Sequence, residues 1–571
     1  MKKHPKAVVI GLDAATWTLI HPWVAEGGMP NLAKLMKVGV SGKLESILPP
    51  ITPPAWTSFM TGKNPGKHGI FNFVETEQGA YAMNYINGAS RRSPSVWKLL
   101  NDAGYSVGTM NIPFTYPPEK LDGFQISGLD TPSETSPFVH PPELKQELVD
   151  HMVTIRHDIR YLGFMSTDER RDQVLAEMEK IDQQWTDAAL YLLENHPQDV
   201  MMFVFMSIDT VQHYFWQYMD RNHFLHEATA APRFQNAVRQ VYERLDTATG
   251  RILEKLPADT TVFVVSDHGG GPVSDRTIYL NRYLAQLGLL HYKEDKTSAA
   301  GRFGRKILRD AYALLRSSLP PRQKGFLAEL FPALRRKAEL AYTSFASIDW
   351  SRTKAYCSEV LAAPPSIWIN LKGLKPSGIV EPSEYASLID VIIEKLRELK
   401  DPRTGQRVIA RIYRREDIFH GPFASEGADL ILDWWSEDSQ LGTEPSFPED
   451  TYKPPLVIRE HRPSGNSEWG GTHRLHGILV ASGPVIRQDT EIDNARLIDL
   501  APTLLHLFGV AVPEDMDGRV LVEAFQPDFL AAHPVKAGAA SGTSANDRSS
   551  GYTDEESAKV EERLQALGYL E

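Results

Sequence analysis

At 571 residues the chain is too long for one small core, and its length predicts about three to four domains, or fewer with large insertions. Hydrophobic residues make up 42% and charged residues 23%, which is ordinary for a globular protein with a sizeable core. The net charge of -12 argues against nucleic acid as a partner, and the single cysteine, Cys357, excludes an intramolecular disulfide and a thiolate cluster. Any metal must therefore be held by His, Asp and Glu.

The first residues resemble a signal peptide only briefly, because Lys2, Lys3 and Lys6 precede an apolar run. The run stops at Asp13 and is too short for a signal-peptide core, and no later stretch approaches the roughly 18 apolar residues of a membrane helix. We therefore expect a soluble, cytoplasmic protein.

Strands alternating with helices predict an α/β fold. Residues 7–12 form a continuous apolar run that predicts a buried parallel strand, with Asp13 at its carboxyl end. Further strands are predicted over residues 106–110, 200–208, 260–266 and 477–482, and helices over residues 17–38, 96–103, 173–194 and 233–256. Such alternation predicts a mostly parallel central sheet with helices on both faces, and ligands of such sheets bind beyond the carboxyl ends of the strands.

Thr52 follows an extended Pro50 and precedes Pro53, which is the pattern of a helix start. We predict Thr52 as the N-cap of a helix that begins at Pro53 and ends before the loop at Gly62. A helix N-terminus offers free N–H groups and partial positive charge, so a ligand beside Thr52 would be an anion such as phosphate. The pattern alone leaves two interpretations open, a simple cap and a reactive hydroxyl.

Candidate metal ligands recur at the predicted strand ends. Asp209 is followed four residues later by His213, a spacing that can bring both side chains to one metal if Asp209 opens a helical turn. After the next strand, glycines follow an Asp-His pair, which would let the pair converge and leave space for a ligand. The six candidate ligands are Asp13, Asp209, His213, Asp267, His268 and His473, the last within Gly471-Thr-His473.

The order of these motifs, with Thr52 nine residues before Thr61-Gly62 and with Pro65 and His68-Gly69 after it, resembles the alkaline phosphatase superfamily. The nearest branch is similar to the type I phosphodiesterases and nucleotide pyrophosphatases, in particular bacterial members without an assigned substrate. The resemblance covers residues 7–75, 200–275 and 465–510. It implies an alkaline-phosphatase-like sheet with cap and helical insertions.

The resemblance also implies a site with two divalent cations, usually Zn²⁺, with Mn²⁺ as an alternative. One ion would be held by Asp209, His213 and His473, and the other by Asp13, Asp267 and His268 together with Thr52. A threonine hydroxyl ionises far above neutral pH, so its attack on phosphorus requires a metal. The implied function is hydrolysis of phosphodiester, pyrophosphate or phosphomonoester bonds in a small phosphorylated substrate, through a phosphothreonine at Thr52.

Several assignments carry alternatives. Asn72 comes one residue earlier than the family pattern expects, and we take it as a candidate phosphoryl contact. His476 is the rival of His473 as a ligand, and His68 is expected to be a structural hydrogen-bonding residue. A sulfatase is excluded because Cys357 lacks the required context. The alternatives to hydrolysis are a phosphomutase or phosphotransferase of the same superfamily and a non-catalytic metal-bearing binding protein.

Two lysines and two aromatic residues near Thr52 each have two interpretations. Lys63 and Lys67 either touch an anionic substrate or are surface lysines in a turn. The aromatic side chains of Trp56 and Phe71 either line a leaving-group pocket or belong to the core.

We predict four segments. Residues 1–290 would hold the first part of the catalytic core, with a cap-like segment at about 117–171. Residues 291–345 would be a basic helical insertion, in which residues 301–337 form either a solvated helix pair or a weak membrane-surface contact. Residues 346–527 would complete the core. Residues 528–571 would be a flexible linker, mainly residues 531–550, and a short helix at 555–567.

Overall fold

The computed structural model describes residues 4–76, 83–151, 153, 155–157, 167–293, 347–358, 365–436, 441–444, 446–459, 469–543 and 551–566. These residues form 16 α-helices: α1 Trp17–Ala25, α2 Pro30–Val38, α3 Thr52–Thr61, α4 Pro65–His68, α5 Val96–Asp102, α6 Pro142–Asp150, α7 Asp168–Asn195, α8 Ser207–Met219, α9 Pro232–Gln235, α10 Ala237–Glu254, α11 Leu280–Gln286, α12 Tyr385–Arg397, α13 Arg415–Ile418, α14 Leu500–Leu507, α15 Pro527–Ala532 and α16 Asp554–Ala566.

The same residues form 23 strands: β1 Ala7–Leu12, β2 Val40–Glu45, β3 Val74–Thr76, β4 Met83–Tyr85, β5 Val107–Ile112, β6 Gly123–Ser127, β7 Val139–His140, β8 Val200–Phe205, β9 Thr261–Val265, β10 Gly269–Pro272, β11 Arg276–Ile278, β12 Ala355–Tyr356, β13 Ser366–Ile369, β14 Ile412–Arg414, β15 Leu430–Leu432, β16 Gly442–Thr443, β17 Leu456–Ile458, β18 Gly471–Arg474, β19 His476–Ser482, β20 Thr490–Glu491, β21 Ala495–Arg496, β22 Val512–Pro513 and β23 Ala537–Gly538.

A ten-stranded sheet forms the centre of the molecule, in the order β20-β2-β19-β9-β1-β8-β5-β6-β7, with β21 also beside β2. Strand β1 lies parallel between β8 and β9, and β5 lies parallel between β8 and β6. Strand β19 is antiparallel to both β2 and β9, so β2 runs in the same direction as β9. The predicted mostly parallel α/β sheet is therefore confirmed.

Helices cover both faces of the sheet. Alternate residues of a strand point to opposite faces, so each central strand packs against helices on both sides. In β1, Val8 and Ile10 pack in the core beneath α1, α2, α7, α8 and α10. Val9 packs on the other face, in the core beneath α3, α5 and α14. Burial on both faces explains why the central strands read as uninterrupted apolar runs rather than as alternating patterns.

The predicted cap-like segment at 117–171 is wrong in its first half. Strand β6 pairs with β5, and β7 pairs with β6, so these residues extend the edge of the central sheet. The low periodicity of the segment reflects short edge strands joined by long loops.

A second lobe is built from residues 276–293 and 347–459, as far as they are described. Its four-stranded sheet, β12-β13-β15-β14, packs with α11 and α12 around a separate hydrophobic cluster. Residues 346–527 were predicted to continue the catalytic core. The described residues up to 459 belong to the second lobe instead, and the chain returns to the central sheet through β18 and β19.

The predicted helix near the C-terminus is present as α16, and it buries Val560 and Leu564 against Ile70, Phe73 and Phe114. Within the predicted linker, β23 pairs with β22, and the flexibility of the linker stays a prediction. Most of the predicted basic insertion at 291–345, with all of residues 301–337, lies outside the described residues. Among the helices that are described, none combines the length and the apolar character needed to cross a bilayer.

We expect Gly11→Ala to destabilise the protein by about 1–3 kcal/mol, because the added methyl would overpack a full core. The new Cβ would lie 2.8 Å from Trp56 Cη2 and 2.9 Å from Val204 Cγ2. Urea denaturation measures the change in free energy of unfolding. Gly442→Ala is the control, since the nearest atom to its new Cβ lies 3.9 Å away. Equal stabilities of the two variants would contradict this account of the core.

Candidate metal centre

The candidate ligands lie at one edge of the central sheet. Asp13 directly follows β1, and Asp267 and His268 follow β9 within a few residues. Because β2 is parallel to β9, the loop after β2 brings Thr52 to the same edge. His473 precedes β19, and because β19 is antiparallel its starting end lies there too. Distant parts of the chain therefore meet at this edge.

Asp209 is the ligand whose local structure differs from the prediction. Strand β8 ends at Phe205, and Asp209 lies in the first turn of α8 rather than at a strand end. Asp209 and His213 are therefore one helical turn apart, on the same face of α8. On one face of a helix, the four-residue spacing of Asp209 and His213 allows both side chains to bind the same metal ion.

One carboxylate and two imidazoles form the first half of the cluster. Asp209 Oδ1 lies 3.2 Å from His213 Nε2 and 3.4 Å from His473 Nε2. The two Nε2 atoms lie 3.1 Å apart. His213 Nδ1 is 2.9 Å from the carbonyl oxygen of Gly471, and His473 Nδ1 is 2.9 Å from that of Pro50. Since carbonyls only accept, both Nδ1 atoms donate, and each ring turns its Nε2 toward the cluster.

The second half contains two carboxylates, an imidazole and Thr52. His268 Nε2 lies 3.3 Å from Asp267 Oδ2, 3.8 Å from Asp13 Oδ1 and 3.4 Å from Thr52 Oγ1. The two halves adjoin, because ligand atoms of Asp13, Asp209 and His268 all lie within 4.8 Å of one another. All of these side chains are buried.

The electrostatics of the cluster favour a bound cation. Burial, followed by the charges of Asp267 and Asp209, raises the pKa of Asp13 well above its usual value. Burial and the charge of Asp209 likewise raise the pKa of Asp267. Burial also disfavours the Asp209 carboxylate, but His213 and His473 outweigh it and hold its pKa below the usual range. Three carboxylates are thus crowded where solvent does not screen their repulsion.

Two buried oxygens of the cluster make no hydrogen bond within the described part of the chain: Asp13 Oδ1 and Asp267 Oδ2. Burial of such atoms is costly unless something else satisfies them. Burial also lowers the pKa of His268 and His473, which keeps both rings neutral and able to bind a metal. The residues present therefore fit two divalent cations with oxygen and nitrogen ligands.

Thr52 differs from the predicted N-cap. The helix α3 begins at Thr52 itself, Ile51 is the extended N-cap residue, and no side chain caps the helix. Since Pro53 and Pro54 have no N–H, and Ala55 N donates to Ile51, only the N–H of Thr52 remains in the first turn for a bound anion. The hydroxyl is not used as a cap and points to His268 instead.

The remaining candidates lie around the cluster. Asn72 Oδ1 accepts a hydrogen bond from Phe73 N at 2.8 Å, and its contact with a phosphoryl group stays a prediction. His68 is buried and bonds Ser58 Oγ at 2.9 Å, which is the structural role that was expected. His476 is exposed at the start of β19 and lies outside the cluster.

The lysines near Thr52 are neither surface residues nor free to meet a substrate. Lys63 is only 2% exposed and its Nζ lies 2.6 Å from Asp515 Oδ2. Lys67 Nζ lies 2.5 Å from Asp517 Oδ1. Both hold the loop after α3 to a distant part of the chain, which no local sequence pattern indicates.

The aromatic residues pack with the hydrophobic clusters, which was one of the two interpretations considered. Trp56 is fully buried, and its Nε1 donates to Asp13 Oδ2 at 2.8 Å, so it orients a candidate ligand. Phe71 packs edge-on against Phe419 of the second lobe.

Two tryptophans that the sequence did not single out border the cluster. Trp469 stacks on His213 at a ring separation of 3.7 Å. Trp434 of the second lobe lies 6.1 Å from His473. The position of Trp469, two residues before Gly471, was a signal that could have been used. Trp434 lies in another lobe, and no motif pointed to it.

The sheet and its edge cluster define the class of the protein: an alkaline-phosphatase-like α/β protein with a threonine beside clustered carboxylates and imidazoles. A model of the type I phosphodiesterase / nucleotide pyrophosphatase family matches residues 7–440, which is more than half of the chain. The chain therefore belongs to this family, within the alkaline phosphatase superfamily that its motifs resemble. The family name describes hydrolases of phosphoric ester bonds.

Solved structures agree with this fold. Phosphonoacetate hydrolase from Sinorhizobium meliloti 1021, in complex with phosphonoformate, is similar with a TM-score of 0.50 and 14% identity, over 87% of this chain and 94% of that one. Murine ectonucleotide pyrophosphatase / phosphodiesterase 5 has a TM-score of 0.45 and 13% identity, over 89% of this chain and 95% of that one. The phosphonoformate complex supports the shared fold.

A curated relative matches over a short stretch. The 2,3-bisphosphoglycerate-independent phosphoglycerate mutase from Cereibacter sphaeroides (strain ATCC 17025) is 42% identical over 62 residues, 10% of this chain. The chain spans 12% of the length of that relative.

We expect His473→Ala to bind about one equivalent less zinc than the wild type, because a ligand of the first half is removed. His476→Ala, three residues away and outside the cluster, is the matched control and should keep the wild-type content. Metal analysis after dialysis against a weak chelator provides the measurement. The reverse result would assign the ligand role to His476.

Proposed function

We propose that the protein is a metal-dependent phosphohydrolase with Thr52 as its nucleophile. The carrying observation is the cluster of three carboxylates and three imidazoles around the Thr52 hydroxyl, with Thr52 Oγ1 3.4 Å from His268 Nε2. Asp209, His213 and His473 would hold one divalent cation, and Asp13, Asp267 and His268 the other, with Zn²⁺ as our first choice and Mn²⁺ as the alternative. When bound, the two ions would stabilise negative charge on the attacking and leaving oxygens.

The chain's own residues position the reaction. The Thr52 hydroxyl loses its proton to water and its oxygen attacks phosphorus, the bond to the leaving oxygen breaks, the leaving oxygen takes up a proton from water, and a phosphothreonine forms. Water then attacks the same phosphorus, which releases the phosphoryl product and restores the hydroxyl. The N–H of Thr52 and the positive end of α3 face a phosphoryl oxygen during both steps. The Trp56 indole holds Asp13 in place through its bond to Oδ2.

The substrate would be a small phosphorylated molecule, either a diester or pyrophosphate, as the family name suggests, or a monoester. A phosphotransferase is the second candidate, supported by the short similarity to a phosphoglycerate mutase. In that case the phosphoryl group on Thr52 would pass to an acceptor hydroxyl instead of water. A cytoplasmic location, inferred from the sequence, is part of the proposal.

We predict that Thr52→Ala lowers turnover of bis-p-nitrophenyl phosphate or p-nitrophenyl phosphate by more than about a thousandfold, since the covalent step is lost. Stability should change by less than the roughly 1 kcal/mol typical of a lost cap, because the hydroxyl caps no helix. Thr52→Ser keeps a hydroxyl and is the matched control, with measurable turnover.

The same assay separates the candidate functions. Turnover that a chelator removes and zinc restores is expected, together with phosphate on the Thr52 peptide after acid quenching. Product transfer to added glycerol, at the expense of free phosphate, would favour the phosphotransferase. Full turnover by Thr52→Ala would contradict the nucleophilic role.

A further inference from the structure

Gln212 lies between Asp209 and His213 on α8, yet neither the motif nor the metal assignment gives it a role. It is buried, with 2% of its surface exposed. Its Nε2 donates to the carbonyl oxygen of Ala14 at 2.8 Å. Ala14 is the residue after Asp13. A single side chain therefore joins the helix of the first half of the cluster to the turn that carries a ligand of the second half.

The turn at Ala14 needs such support. Ala14 has a φ of 60°, in the left-handed region that residues with a side chain rarely adopt. Backbone in this region persists only where its surroundings hold it. Its N–H points to Asp267 Oδ1 at 3.4 Å, and its carbonyl accepts from Gln212. The turn is thus held from both sides, and the Asp13 carboxylate is fixed with it.

The contact of Gln212 Oε1 determines which atom of the Gln212 amide faces Ala14. Tyr242 donates its hydroxyl to Gln212 Oε1 at 3.4 Å and accepts from Thr16 N at 3.2 Å. Burial raises the pKa of Tyr242, so the hydroxyl stays protonated and remains a donor. The amide nitrogen of Gln212 is therefore left for the Ala14 carbonyl.

Close packing also confines the side chain. A Cβ on Gly270 would lie 2.4 Å from Gln212 Oε1, and one on Gly471 would lie 2.3 Å from the Gln212 backbone oxygen. The glycines after His268 were expected to leave space for a ligand, but at Gly270 the space is filled by Gln212. Gly270 and Gly471 serve the approach of α8 to the β10–β18 ribbon.

We propose that Gln212 is a positioning residue that holds the Asp13 turn in the geometry required to bind the second metal ion. The inference rests on the proposed two-metal function. Without the Gln212 amide, the buried Ala14 carbonyl loses its partner and the strained turn is released. Partners of this kind, outside the ligands themselves, typically contribute about 10–100-fold in metal affinity. The loss should fall on the ion held by Asp13, Asp267 and His268.

The test is a zinc titration of the metal-free protein, followed by competition with a chromophoric chelator. The wild type should bind two equivalents. Gln212→Met, which keeps the length but has no donor, should bind one equivalent with wild-type affinity and the other about 10–100-fold more weakly. Gln212→Asn, whose amide is one methylene too short, should behave in the same way and serves if the methionine variant does not fold.

Gln217→Met is the matched control, because Gln217 is equally buried on α8 but donates to the Tyr214 carbonyl and not to Ala14. It should bind two equivalents as the wild type does. Two equivalents at wild-type affinity in both Gln212 variants would overturn this inference and leave the proposed function intact. Equal weakening of both equivalents would also overturn it. A wild type that binds neither zinc nor manganese would refute the proposed function itself.

Discussion

The structure depends on the burial of three carboxylates within a few ångströms of one another. Asp13, Asp209 and Asp267 lie at an edge where solvent cannot screen them, and the pKa values of Asp13 and Asp267 are raised by burial and by their neighbours' charges. Unsatisfied buried charge costs folding free energy, and apolar residues in the same positions would be more stable. The two divalent cations of the proposed function would remove the repulsion and give each of the two unsatisfied oxygens a partner. The cluster therefore makes sense as a binding site rather than as a stabilising feature.

The parallel sheet makes this crowding achievable. Its central strands are buried on both faces, so their polar groups can collect only where the strands end. The antiparallel β19 delivers His473 to the same edge from a segment more than 200 residues beyond Asp267. Around this edge, contacts from distant segments brace the loop after the Thr52 helix: Lys63 pairs with Asp515, and Asn64 Nδ2 donates to the carbonyl oxygen of Ile418 in the second lobe. The helix that begins at Thr52 is thereby tied to the core, to the second lobe and to the C-terminal region.

The sequence predicted the central strands and the candidate ligands, and the elements that it did not predict were missed for physical reasons. Residues 7–12 and 260–266 were predicted as strands because a short, continuous apolar run that ends at an acid is typical of a buried parallel strand. The candidate ligands were recognised because each follows or precedes such a run within a few residues. The lobe was missed because its strands are only two to four residues long. The first half of residues 117–171 was predicted as part of a cap because its short strands lack a strong pattern. Lys63, Trp434 and Gln212 act through partners that lie far away in the chain, and local spacing carries no sign of such partners.

The most direct test is anomalous diffraction at the zinc edge from crystals grown with zinc. The account predicts two peaks at the sheet edge, one beside Asp209, His213 and His473, and one beside Asp13, Asp267, His268 and the Thr52 hydroxyl. A crystal with no peak at this edge, or with zinc only at surface histidines such as His476, would contradict it.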